Sequence, residues 1–472
     1  MWRAYAESPS TLPETEALYK DRELKNLLAL LLLLLPGISP LAWSQSGSVV
    51  KVNVNKHEDG QWTLTYELPE PTHRLGFVRN PDDSRTKRWF PESAEFELVY
   101  QEGKEYLQRV DGDAFADVSV SLTPDYKHLT KDYAPFSPYS DGGTLIYSGR
   151  LFSCPRDCSG YERWQFTLTA PANEYVVVHG QRYAGKASWD DENDGTNVYV
   201  GSQQPVETDN VIAIIDSGLP DSVQKALNTE IPRLMNYFEQ RLGKITGTKP
   251  SLFASYARVD GHSSQGGTLP NQIFMHWDLN NLDERKDDTG FINDTLWFFA
   301  HEVAHLYQTP GHERPAVAPE YSWIHEGHAD WLAARALTDL YPLTQTYVQQ
   351  RIMRATADCE NGLSMFSLKH AAASGRFGLY YTCGLLIHRS IDNALRHADK
   401  GDTFSLWRAF RALPVQEDQN GSTRFISLIE KDLPTAFVQT VRQLSEQALP
   451  KPQETLMRLE SESQQIRPLN AE

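Results

Sequence analysis

Leu296-Trp297-Phe298-Phe299-Ala300-His301-Glu302-Val303-Ala304-His305 is the stretch that decides how this chain is read. Residues four apart share one face of a helix, so His301 and His305 can offer two imidazoles to one metal ion. Glu302 is rotated by ~100° from His301 and reaches a water at the metal rather than the metal itself. The apolar run Leu296 to Ala300 points to a buried helix. Two satisfied core histidines on an ordinary helix are the plainer alternative.

A third ligand has to come from elsewhere. The metzincin pattern fails, because Gln308 and Gly311 stand where Gly and His are needed and His312 misses by one place. Glu326 is the better choice, in Trp323-Ile324-His325-Glu326-Gly327-His328-Ala329-Asp330-Trp331. Asp330 lies one helical turn beyond it and is placed to hold the free ring nitrogen of His301 or His305. His325 and His328 are rivals for the ligand role. On a helix His328 stands ~200° from Glu326, so both cannot face one metal.

Outward from this core, the chain divides by pattern. From Ser46 to about Val206, period-two alternation marks strands such as Val49 to Val54, Trp62 to Tyr66, Phe96 to Tyr100, Val118 to Leu122 and Trp164 to Leu168. Short strands at this density suggest a β-sandwich. Val211 to Ile215 reads as a buried strand, Ser222 to about Leu242 as a helix, and a strand pair follows near Leu252 to Ala257 and Gln272 to Trp277. Beyond Asp294 the pattern is helical. The acidic run Asp190 to Gly195 lacks the Glu that a calcium loop needs at its twelfth place, where Gly201 stands, so it reads as a solvated turn.

Composition narrows the function classes. The 472 residues carry 62 acidic and 45 basic side chains, a net charge of -17, which excludes the positive field that holds nucleic acid. Hydrophobic residues make up 40%, ample for two or three folded domains of ~150 residues each. Lys20, Arg22 and Lys25 precede the apolar run Leu27 to Leu35, and Ala42-Trp43-Ser44 is a small-x-small cleavage site, so residues 1–44 are expected to be a leader with a signal peptide. Pro36 and Pro40 make the same stretch a poor membrane span. The expectation is an exported protein, periplasmic or secreted. Four cysteines in an oxidising compartment read as two disulfides, most simply Cys154–Cys158 and Cys359–Cys383, although three pairings exist. A four-ligand zinc site or ordinary buried thiols are the alternatives.

His-Glu-Val-Ala-His followed by Trp-Ile-His-Glu-Gly-His-Ala-Asp resembles the gluzincin metallopeptidases. The likeness is to the membrane alanyl aminopeptidase and glycyl aminopeptidase families, and it is specific over residues 297–331. The resemblance implies an α+β multidomain chain with a β-sandwich (46–206), a thermolysin-like α/β zinc-peptidase domain (208–340) and a C-terminal helical bundle (341–472). It implies one zinc ion per chain held by His301, His305 and Glu326, with Glu302 as general base acting on a peptide or protein substrate. In those families a Tyr-x-Lys-Gly element donates a hydrogen bond to the oxyanion. Here it reads Tyr381-Thr382-Cys383-Gly384, with Cys in place of Lys. An edge strand of Gly-x-Met-Glu-Asn or Gly-Gly-x-Glu type binds substrate backbone and grips the amino terminus. Gly266 and Gly267 match it, and no Glu follows in Thr268-Leu269-Pro270-Asn271-Gln272. Either another acid recognises the amine or the enzyme cuts internally. A secreted binding protein that keeps a structural zinc site is the reading from another class; it is favoured by these two departures and opposed by the presence of Glu302.

Overall fold

The computed structural model describes residues 49–129, 132–155, 158, 163–256, 261–279, 281–309, 318–414 and 421–467. The expected leader, Gly311 and His312 lie outside them. Val50–Lys56 begins a six-stranded sheet in the order Lys186–Glu192, Arg163–Thr169, Val50–Lys56, Trp62–Thr72, Phe115–Leu122, Trp89–Pro91. Its strands alternate buried and exposed, which is the period-two pattern of a sheet with one wet face. Val52, Leu64, Val120 and Phe166 line its apolar side together with residues of a four-stranded sheet, including Leu75 and Leu107.

A third sheet has no counterpart among the strands read from alternation. It runs Gln181–Ala184, Tyr175–Val178, Asn197–Gly201, Thr144–Tyr147, Phe136–Pro138. Its three central strands are buried at every position, so they carry no alternation for a sequence reading to find. The acidic run beside it is only partly a solvated turn. Asp191 is buried, accepts from Ser148 Oγ and from Trp189 Nε1 at 3.2 Å, and burial pushes its carboxyl up to about 6.

The fourth sheet carries the site. Its order is Val206–Glu207, Ile212–Ile215, Ser251–Tyr256, Gln272–Leu279, His262–Leu269. Ile212–Ile215, Ser251–Tyr256 and Gln272–Leu279 are mutually parallel, and the edge strand His262–Leu269 runs antiparallel to the last of them. One face, with Ile214, Phe253, Leu269 and Phe274, packs on Tyr133, Tyr147 and Tyr199 from the strand-rich part. The other, with Ala254, Ile273, Met275 and Trp277, packs on helices.

Those helices are α1 (Asp221–Leu242), α2 (Thr289–Gln308), α3 (Glu326–Leu340), α4 (Gln345–Leu363), α5 (Gly378–His397) and α6 (Thr403–Ala412), with three more at the C-terminal end. Asp288 caps α2 by accepting from Gly290 N and Phe291 N. No helix among the described residues is long and apolar enough to cross a membrane. Cys359 on α4 is bonded to Cys383 on α5, and Cys154 to Cys158.

Between α3 and α5 the backbones touch. A Cβ on Gly384 would lie 2.7 Å from Gly327 Cα and 2.8 Å from the Trp323 carbonyl oxygen. Both obstacles are backbone, so no rotamer change can make room. Gly384→Ala should therefore destabilise the protein by ~1–3 kcal/mol. Gly378→Ala, at a position with open space, serves as control. Thermal unfolding of both variants checks this, with only Gly384→Ala expected to melt earlier.

Candidate metal centre

α2 crosses beneath the edge strand and presents His301 and His305 to the first turn of α3. The run Pro319–Ile324 is a 3-10 helix that brings Glu326 in at the start of α3. His301 Nε2 and His305 Nε2 each lie 3.2 Å from Glu326 Oε2, and 2.9 Å from one another. Among the described residues this is the one group of three or more His, Cys, Asp or Glu side chains whose ligand atoms converge. His301, Glu302 and Glu326 are buried and His305 is partly exposed, which leaves the cluster one open side.

Hydrogen-bond accounting shows what the cluster is short of. Asp330 Oδ1 lies 2.9 Å from His301 Nδ1 and accepts Trp297 Nε1 at 2.9 Å. An ionised carboxylate only accepts, so His301 donates from Nδ1, and its Nε2, facing the Glu326 oxygen, carries either a second proton or, in the neutral ring, a lone pair open to a metal ion. Two acceptors at 3.2 Å require a positive charge between them. Burial disfavours charge on His301, but Asp330 and Glu326 outweigh it and hold its pKa well above the ordinary histidine value. Burial likewise opposes ionisation of Glu326, yet His305 and the hydrogen bonds from His301, His305 and His325 keep its carboxyl well below the usual range. Zinc fits this set. Its bonds to imidazole nitrogen and carboxylate oxygen are ~2.0–2.2 Å, which puts tetrahedral ligand atoms ~3.3 Å apart.

Glu302 points the other way along α2, toward the sheet. Its Oε2 accepts from Thr268 Oγ1 at 2.5 Å. Burial raises its pKa, opposed by His301, His305 and the Thr268 hydroxyl. Tyr381, on the first turn of α5, lays its ring 5.6 Å from that of His301 at 29°. The structure thus brings His301, His305, Glu302, Glu326, Asp330 and Tyr381 together.

The two glycines part company. Gly266 faces α2, where a Cβ would meet Phe298 at 2.6 Å, whereas Gly267 faces Tyr133 on the opposite side of the sheet. Leu269 is buried on that opposite side as well, so the strand residues from Gly266 to Leu269 bring no acid to the site. Of the rival histidines, His328 is buried away from the ligand cluster and stacked on Trp407, with ring centroids 4.1 Å apart. His325 lies 3.3 Å from the second oxygen of Glu326. Two partners escaped the sequence reading: Thr268 on Glu302, and Gln308, whose Oε1 lies 2.7 Å from His305 Nδ1. Thr268 sits in a quoted stretch, but only the strand register reveals that it faces α2.

No protein-family model and no curated protein sequence matches the chain. Among solved structures it is similar to an aminopeptidase N family protein from Idiomarina loihiensis, with a TM-score of 0.60 at 10% identity over 87% of this chain and 78% of that one. An M1 zinc metallopeptidase from Deinococcus radiodurans overlaps at a TM-score of 0.46 and 14% identity, covering 86% and 95%. A yeast LTA4 hydrolase in complex with bestatin gives 0.46 at 13%, covering 89% and 68%. The chain, with strand-rich sheets first, the mixed sheet and the helix of His301 and His305 next and helices last, has the fold of the aminopeptidase N family protein.

Proposed function

We propose that the chain is a zinc-dependent metallopeptidase. The observation that carries this is the convergence of His301 Nε2, His305 Nε2 and Glu326 Oε2, with Glu302 one residue along the same helix. A structural site gains nothing from a buried carboxylate beside its ligands, whereas hydrolysis needs one as a base. The neighbour's name, aminopeptidase N family protein, points the same way.

Zinc, when bound, would supply Lewis acidity, lowering the pKa of a water and polarising the scissile carbonyl. The chain's own groups do the rest. Glu302 takes a proton from the attacking water and later gives it to the leaving amine. Its buried setting makes it a stronger base than a surface carboxylate, and the Thr268 hydrogen bond holds it in one rotamer. The Tyr381 hydroxyl donates to the carbonyl oxygen as that atom gains charge. His262–Leu269 lies at the end of the sheet, where its outer backbone groups can pair an extended peptide. Asp330 keeps His301 in the tautomer that leaves Nε2 free. An exported setting belongs to the same reading, supported by the basic-then-apolar start of the chain and its even cysteine count.

Three outcomes test this. Glu302→Gln should lower kcat by ~10²–10⁴-fold while zinc content stays near one per chain; full activity in that variant would sink the assignment. Tyr381→Phe should cost ~10²–10³ in kcat with little change in KM, because the hydrogen bond strengthens only as the oxyanion forms. Peptides with free and with acetylated amino termini, followed by mass spectrometry, decide the cleavage mode. With no acid on the edge strand at Gly266 to Leu269, hydrolysis of blocked peptides is expected unless another acid anchors the amine.

A further inference from the structure

Gln308 closes α2 one turn beyond His305 and is itself buried. Its amide has three partners. Oε1 lies 2.7 Å from His305 Nδ1, and Nε2 lies 2.9 Å from the carbonyl oxygen of His325 and 2.8 Å from His328 Nδ1. A backbone carbonyl can only accept, so the amide atom facing His325 is the NH2 group and the atom facing His305 is the oxygen. The flipped amide would set oxygen against oxygen.

The rest follows by donor and acceptor logic. An amide oxygen only accepts, so His305 donates from Nδ1, and its neutral ring therefore presents a lone pair at Nε2, the atom that faces Glu326. The second amide hydrogen goes to His328 Nδ1, which makes His328 a neutral acceptor rather than a ligand. This orientation is fixed from outside the metal cluster. The His325 carbonyl also accepts Ala329 N at 2.9 Å, within the first turn of α3. The Gln308 carbonyl accepts Trp407 Nε1 of α6 at 3.1 Å.

We propose, resting on the zinc reading above, that Gln308 is the positioning residue for the second metal ligand: it selects the Nδ1-protonated tautomer of His305 and aims Nε2 at the metal. His301 is held for the same purpose by a carboxylate, Asp330. Gln308 does the task with a neutral group, so it adds no further negative charge to a site that already buries Glu302, Glu326 and Asp330.

Two substitutions separate positioning from packing. Gln308→Met keeps the length of the side chain and removes every hydrogen bond. Gln308→Glu keeps an acceptor for His305 and loses amide hydrogens to His325 and His328. Zinc affinity of the purified chain is measured by competition with a chromophoric chelator, and thermal unfolding is followed on the zinc-free protein. Gln308→Met should bind zinc ~10–100-fold more weakly, Gln308→Glu should stay within ~3-fold of the parent, and both should melt earlier when zinc-free. Unchanged affinity in Gln308→Met would overturn the proposal, as would equal weakening in both variants, which would make Gln308 a packing residue. If the parent chain bound no zinc, the metal reading beneath the proposal would fall instead.

Discussion

Glu326 reaches His301 and His305 from a different helix, so the whole site depends on how closely α2, α3 and α5 are held. A shift of one ångström between helices would open the 3.2 Å contacts beyond what a small cation can bridge. The contact that prevents this is made of backbone. Gly327, next to the Glu326 ligand, meets Gly384, one turn after Tyr381, with no side chain between them. Beside this contact stand Glu326, the proposed metal ligand, on one helix and, one turn away on the other, Tyr381, the proposed oxyanion donor. The Cys359–Cys383 bond fastens α5 to α4 beside this contact. Packing, crosslink and chemistry share a stretch of four residues on α5.

The parts of this architecture that follow local periodicity were legible in the sequence. His301 and His305 are four apart, Glu326 and Asp330 are four apart, and helical geometry alone places each pair on one face. The alternating strands of the first sheet were readable because one of its faces is wet. The third sheet was not, since burial on both faces erases alternation and leaves only short apolar runs. Thr268 and Gln308 escaped for another reason. Their partners are Glu302, 34 positions away across a sheet edge, and the His325 carbonyl, a backbone atom that no sequence pattern marks. Gly267 matched a motif in letters yet turned toward Tyr133, because adjacent strand residues point to opposite faces.

The two faces of the mixed sheet divide its labour. Gln265 ties the edge strand to the strand-rich part through Ala134 N at 2.7 Å and the Asp132 carbonyl at 3.0 Å. Thr268, on the opposite face, donates to Glu302. An edge strand with free outer backbone groups is normally a liability. Here one face packs on aromatic residues and the other on α2, which hold the strand in place from both sides.

The buried carboxylates leave a charge ledger that zinc alone does not balance. With zinc bound, Glu302, Glu326 and Asp330 would bring three negative charges into a site whose two imidazoles would coordinate as neutral groups. A dication cancels two of them. The remaining negative charge would sit on Glu302, whose side-chain partner is the Thr268 hydroxyl, whereas imidazole nitrogens lie against both Glu326 and Asp330. Passing a proton from the attacking water to Glu302 would leave the net charge of the closed site unchanged and move the negative charge from the carboxylate to the water's oxygen, so the burial that disfavours charge on Glu302 favours the transfer.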